Sequence, residues 1–263
     1  MSSVEPLVRF YDLSGPKAWS PSCWFTRFAL NYKGIPYTTV KVSYPGIKPL
    51  CERLFPDMTD IGATVPIVEI LQPPHRALND STPIAKLLNE RFTEKDGYRD
   101  LKLVDKVDEY DASGAQFIMR AIFRWIVKDV YEKALDKEDG SREYFKTTRE
   151  SFLGCDLKDV TEVRGGGEAA ILEDLKVQWA DLRERMLHDD GKGEPTYIDF
   201  YDAAHVKWIG AASEEKLAKL MNLYEDDTFI KLMNKQEEIA DNKLLFITVS
   251  IIIARRTMVG DEG

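Results

Sequence analysis

Residues 20–37 read SPSCWFTRFALNYKGIPY, and the rest of the chain is read outward from this stretch. Trp24, Phe28 and Tyr32 recur at every fourth position, with Phe25 and Ala29 beside them. A helix from about Pro21 to Lys33 therefore carries one apolar face. Proline fits its first turn, and Gly34 stands where a C-cap glycine belongs. Upstream, Leu7 to Leu13 (LVRFYDL) reads as a short strand ended by Gly15 and Pro16. Downstream, Pro36 to Ser43 is rich in β-formers, and Leu50 to Phe55 reads as a weak helical turn. Val65-Pro66 precedes a strand at Ile67 to Ile70. A turn at Pro73-Pro74 leads to a short strand near Ala77-Leu78. Asp80-Ser81-Thr82-Pro83 then opens a helix to about Phe92, with Ser81 or Thr82 as its cap. The order is β-α-β-(α)-β-β-α.

From about Tyr98 helical periodicity takes over. Leu103, Val107, Tyr110, Gly114, Ile118, Ile122, Trp125 and Val130 trace one long stripe, with a bend expected near Gly114 or Lys128. Ser141 to Gly154 follows, and then one helix marked by Ile171, Leu175, Trp179, Leu182 and Met186. Pro195 to Ala211 is mostly apolar and reads as a central helix. Ser213 to Leu223 and Thr228 to Ala240 complete a bundle. The predicted plan is an α/β domain over residues 1–95 followed by an all-α domain over residues 96–243. Gly165-Gly166-Gly167 lacks the Lys-Ser/Thr ending of a phosphate cradle and reads as a flexible connection. Residues 244–263 form an apolar tail, in which Leu244 to Ala254 is uncharged and too short to span a bilayer. A packed extra segment and a read-through artefact are equal readings of it, with a membrane anchor a distant third.

Composition excludes several classes. Of 263 residues, 44% are apolar and 31% charged, as in an ordinary globular chain. The net charge of −9 argues against nucleic acid or an anionic membrane as a partner. Cys23, Cys51 and Cys155 are widely spaced and read as reduced thiols of a cytoplasmic protein. With His75, His188 and His205 equally scattered, no metal site is expected. The N-terminal residues lack the pattern of a signal peptide.

Local features with chemical potential are each weak alone. Trp19-Ser20-Pro21 stands at a strand-to-helix junction, where unpaired N–H groups and the helix dipole favour an anion. Its competing reading is a plain serine cap. Val65-Pro66 is a candidate cis bond that turns the Val65 backbone outward, or an ordinary turn. Asp80-Ser81 starts a helix able to hold a carboxylate, or is a simple cap. Thr196 to Asp199 is a capping-box pattern.

Their order and spacing resemble the soluble glutathione transferases over nearly the whole chain, to about Lys243. Within that family, Trp24, Thr26-Arg27 and Ala29-Leu30 are most similar to the fungal etherase-like class, itself similar to bacterial β-etherases. The resemblance implies a thioredoxin-like N-terminal domain followed by a glutathione-transferase-type helical bundle. It implies glutathione as co-substrate, small aromatic molecules as partners, and a homodimer. Ser20 falls on the residue that activates the glutathione sulfur. Val65, before Pro66, falls on the backbone partner of the cysteinyl part. Asp80 and Ser81 fall on the pair that holds the γ-glutamyl end. The acceptor pocket would lie between the domains, with Trp19 as a wall and Phe117, Arg120, Phe123 and Arg124 on the long helix as candidates; for those four, core or solvated face is the competing reading.

The implied chemistry can be weighed. A free thiol with a pKa of ~8.5 is about 3% thiolate at pH 7, and lowering that pKa by two units requires ~2.7 kcal/mol. A hydrogen bond to a charged group supplies roughly 1.5–3 kcal/mol. A helix N-terminus supplies about 0.3–1, up to ~2 when partly buried. Hydroxyl and dipole together suffice, whereas the dipole alone falls short. The activity implied is conjugation to, or ether cleavage of, aromatic electrophiles, with peroxidase as a side activity. A ligand-carrying protein without turnover and a regulatory member of the fold are the alternatives. Cys23 occupies the second position of a C-x-x-C whose first position is Ser20, so it reads as a helix-packed thiol.

Overall fold

A computed structural model describes residues 5–56, 62–103 and 115–236, the side chains of 115–117 excepted. β1 (Val8–Leu13) is central and almost wholly buried. The sheet order is β2-β1-β3-β4, with β2 Tyr37–Val42, β3 Ile67–Ile70 and β4 Arg76–Asn79. β1 and β2 run parallel, Val8 facing Tyr37, while β1–β3 and β3–β4 are antiparallel. The parallel pair needs a crossover, which α1 (Pro21–Lys33) supplies. Gly34 closes that helix at φ 72°, a left-handed conformation that glycine adopts without a Cβ penalty.

α2 (Tyr44–Leu54) departs from the sequence expectation of a weak turn at Leu50–Phe55. Pro45, Gly46 and Pro49 look like breakers in sequence. Pro45 instead sits in the first turn, and the Ser43 hydroxyl accepts the Gly46 N–H at 3.2 Å. α3 (Ser81–Arg91) also differs: its cap is Asp80, at φ 72°, so Ser81 is the first helical residue.

After a short 3-10 turn at Glu94–Asp96 come the helices of the second half. α4 (Ala115–Asp129) widens into a π turn at Val130–Ala134, next to the bend expected near Lys128. α5 is Ser141–Leu153 and α6 is Val160–Gly165, a helix the periodicity did not reveal. The helix expected through Trp179 is two, α7 (Glu168–Gln178) and α8 (Ala180–Leu187). Trp179 at φ −99°, ψ 16° breaks them while its ring stays in the shared apolar stripe. The glycine triplet joins two helices. Gly166 (φ 72°) caps α6 and Gly167 (φ 90°) starts α7. α9 (Tyr197–Ala212) opens with a complete Thr196–Asp199 capping box, and every residue from Asp199 to Ala212 is buried. α10 (Glu214–Met221) and α11 (Thr228–Asn234) follow. Val107, Tyr110, Gly114, the continuation to Ala240 and the tail 244–263 lie outside the described residues.

α1 packs on α3 on one side and on α9 on the other. Its Phe25 ring lies 4.5 Å from that of Tyr197, and Phe28 stacks on Phe200 at 5.9 Å. Burying a Phe side chain stabilises the fold by about 1.5–3 kcal/mol, so this seam binds the sheet module to the bundle. Polar bonds join the same parts. Tyr197 Oη donates to the Ser81 carbonyl at 3.3 Å, and the Tyr44 N–H donates to Ser141 Oγ at 3.0 Å. Among the described residues no helix is long and apolar enough to cross a membrane.

Candidate active site

The loop after β1 is held close to the bundle by Gly15. A Cβ there would lie 2.3 Å from the Ala134 carbonyl oxygen and 2.9 Å from Trp19 Cδ1. Trp19 is buried, and its Nε1 donates to the Ser14 carbonyl at 3.0 Å. This fixes the approach to Ser20, which precedes α1 in extended conformation (φ −64°, ψ 127°). The Ser20 carbonyl accepts the Trp24 N–H at 2.9 Å, but its hydroxyl makes no capping bond. The plain-cap alternative would have spent that hydroxyl on the helix.

Cys23 lies one turn on, fully buried and hydrogen-bonded to Ser20. Burial and the nearby Asp12 carboxylate push its thiol well above the usual range. The Ser20 hydroxyl acts on that thiol in the downward direction, as a donor toward sulfur does, and is outweighed by burial and Asp12. Asp12 is itself buried, with Oδ2 accepting from Arg27 at 2.7 Å and from Lys41 at 2.9 Å.

Thr64 and Val65 also line the cleft, and the Val65–Pro66 peptide is cis. The Pro66 carbonyl accepts the Asp80 N–H at 3.2 Å, and the Asp80 carbonyl accepts the Ile84 N–H at 3.0 Å. Asp80 is exposed and Ser81 half-buried at the start of α3. They do not line the cleft but adjoin it through Pro66.

The cleft measures about 880 Å³. That lies within the size range of small-molecule sites, roughly 300–1,000 Å³. Trp19, Ser20, Pro21 and Ser22 supply one wall. Met119, Arg120 and Phe123 come from α4, and Trp208 from α9. Phe123 and Trp208 stack at 6.3 Å. Tyr44 from α2 and Tyr144, Phe145, Arg149 and Phe152 from α5 complete it. Tyr44 stacks on Tyr144 at 5.7 Å and leans on Trp19 at 6.3 Å. Burial pushes the Tyr44 phenol up to about 12, so it stays neutral at physiological pH.

Of the residues singled out in the sequence, the structure thus gathers Trp19, Ser20, Val65, Arg120 and Phe123 around one cavity. Arg124 is placed elsewhere: it does not line the cleft, and its carbonyl accepts from Thr161 Oγ1 at 3.0 Å. The Phe117 side chain lies outside the described residues. Tyr44, Tyr144, Phe145, Arg149 and Trp208 were missed. The one available signal was the aromatic and basic face of the helix beginning at Ser141. Among the described residues no cluster of His, Cys, Asp and Glu is arranged to hold a metal.

Comparison with known proteins places this geometry in a class. The family described as glutathione S-transferase, N-terminal domain, matches residues 19–91. The whole chain has the glutathione transferase fold, a thioredoxin-like sheet domain with a helical domain. It is similar to glutathione transferase GSTFuA3 from Phanerochaete chrysosporium, with 25% identity and a TM-score of 0.74 over 90% of this chain and 98% of that one. The fold is shared with CsGST63524 of Ceriporiopsis subvermispora, a structure in complex with glutathione. There the TM-score is 0.73 at 23% identity, covering 89% of this chain and 98% of that one. In sequence, the glutathione S-transferase-like protein ustS of Aspergillus flavus is 27% identical over 245 residues, 83% of this chain and 86% of that protein.

Proposed function

We propose that this protein is a glutathione transferase in which Ser20 steadies the glutathione sulfur as a thiolate for reaction with a small aromatic electrophile. The reaction class is conjugation or cleavage of an aromatic ether. One observation carries the reading: the Ser20 hydroxyl, at the N-terminus of α1 and on the wall of the cleft, is not used to cap its own helix. The fit to glutathione rests on the same surface. Val65 lines the cleft, and the amides at the start of α3, which adjoins the cleft through Pro66, suit the γ-glutamyl carboxylate. Asp80 is the counterion for the γ-glutamyl ammonium. The structure in complex with glutathione that shares the fold adds support.

When bound, glutathione supplies the nucleophilic sulfur. Ser20 donates its hydroxyl proton to that sulfur without ionising, while the amides of the first turn of α1 face the same point. The aromatic walls exclude water and align a planar acceptor. Ser20→Ala tests this. Ultraviolet titration of bound glutathione should show its thiol pKa raised by about 1–2 units, the equivalent of the lost hydrogen bond. Turnover at neutral pH should fall with it. A pH–rate profile identical to that of the unsubstituted protein removes Ser20 from the mechanism.

A further inference from the structure

The aromatic cleft carries two arginines, Arg120 on α4 and Arg149 on α5, and of these Arg149 lies over the aromatic rings. Arg149 lines it from α5, half-buried, with its guanidinium carbon 5.2 Å from the Tyr44 ring centroid and 5.0 Å from that of Phe145. Its Nη1 donates to Thr148 Oγ1 at 3.0 Å. Among the described residues no carboxylate pairs with Arg149, and none lines the cleft. Lys48, on the rim, leans at 3.9 Å toward Glu52 and is mostly exposed, so it contributes little.

We propose that Arg149 is the specificity-determining anchor of the cleft and that the acceptor is an aromatic molecule bearing a carboxylate or comparable anionic group. This rests on the glutathione transferase reading and narrows its substrate class. An arginine laid over two rings is already fixed in direction, so little side-chain entropy is lost when an anion arrives. A guanidinium in a half-buried aromatic wall acts through a lower effective dielectric than water, which strengthens its pull on an anion. It also presents a planar fork suited to a carboxylate. The neutral Tyr44 phenol beneath it leaves that charge uncompensated. The ring system of the acceptor would lie against Phe123 and Trp208, which line the same cleft.

The test compares two fluorescent probes that differ by one charge, anilinonaphthalene sulfonate and the uncharged N-phenylnaphthylamine, titrated into the full chain with and without glutathione. The anionic probe should bind more tightly. Arg149→Met should weaken it about tenfold or more, the scale of a lost charged hydrogen bond, while leaving the neutral probe within about twofold. Arg149→Lys should recover part of the loss, since charge without the fork remains. Equal binding of both probes, or a parallel loss of both in Arg149→Met, overturns the proposal. So does a selective loss of glutathione affinity in Arg149→Met, which would assign the guanidinium to the tripeptide's carboxylate instead. Glutathione calorimetry on the unsubstituted chain separates the two levels: no glutathione binding there defeats the underlying reading, whatever the probes do.

Discussion

The Asp80 main-chain N–H donates to the carbonyl of Pro66 at 3.2 Å. The loop that carries Val65 and the start of α3 are therefore one rigid corner, and the conformation of Asp80 sets its angle. Asp80 stands at φ 72°, ψ 133°, a region that a residue with a Cβ occupies only at a cost of about 1–3 kcal/mol.

Asp80→Gly should consequently separate stability from binding. Thermal unfolding should move up, by the equivalent of about 1 kcal/mol after the extra chain entropy of glycine is set against the relieved strain. Glutathione affinity, measured by calorimetry, should move down if, as proposed, the Asp80 carboxylate pairs with the γ-glutamyl ammonium. A fall in both would mean that the glycine loosens the corner itself.

Cys23 and Cys51 are buried, and burial raises both thiols above their ordinary range, whereas Cys155 is half-buried. A disulfide reagent applied to the native protein should therefore react quickly at Cys155, and Cys155→Ser should abolish the fast phase. Rapid labelling of Cys23 would contradict the packed-thiol assignment and reopen a redox role for the Ser20–Cys23 turn.

His205 lies wholly inside α9, donating from Nδ1 to the Tyr201 carbonyl at 2.9 Å, and its Nε2 is buried without a partner. Burial pushes its pKa down to about 4. The unfolded chain, titrating near ~6.5, then binds a proton that the folded chain does not between those values. Its contribution to stability is present above that window and is lost as pH falls through it, up to ~3 kcal/mol. Asp202, which burial raises to about 6, acts in the opposite sense over part of this range. The comparison is therefore between the unsubstituted chain and His205→Gln by urea unfolding. The stability difference between them should narrow by acidic pH; a constant difference from pH 7 to about 4 would refute the assignment.

Asp199 closes the capping box by accepting the Thr196 N–H at 2.8 Å and also meets Arg185 at 2.5 Å and Lys235 at 3.1 Å. Thr196→Ala should cost about 1 kcal/mol, the ordinary loss of a cap. Asp199→Ala also takes one carboxylate from Arg185, which keeps Asp202, and from Lys235, which keeps Asp189, and should cost about 2–3 kcal/mol. Equal denaturation midpoints for the two variants would show that Asp199 is only a cap.

The sequence made legible those parts of the site that depend on local chain geometry. Ser20 before Pro21, Val65 before Pro66 and Asp80 before Ser81 are each a helix start or strand start, written in a few adjacent residues. α1 was equally readable, because its apolar spacing and Gly34 agree. α2 was not, because Pro45, Gly46 and Pro49 argue for a break, whereas Pro45 sits in the first turn and Pro49 is tolerated inside the helix. Trp179 hid the division between α7 and α8, since its side chain keeps the stripe while its backbone leaves the helix. Tyr44 and Arg149 escaped for a different reason. They meet across the cleft from helices about a hundred residues apart, and no local pattern records that meeting.

The rings of Phe25 and Phe28 on Tyr197 and Phe200 carry a last implication. The stretch that the family model matches, residues 19–91, ends far short of the helix those rings rest on. A fragment cut after it would turn a row of aromatics toward water and clump rather than stand as an autonomous glutathione binder. Swapping this unit between relatives should succeed only when the matching face of α9 travels with it, so the heritable unit and the folding unit of this protein are of different sizes.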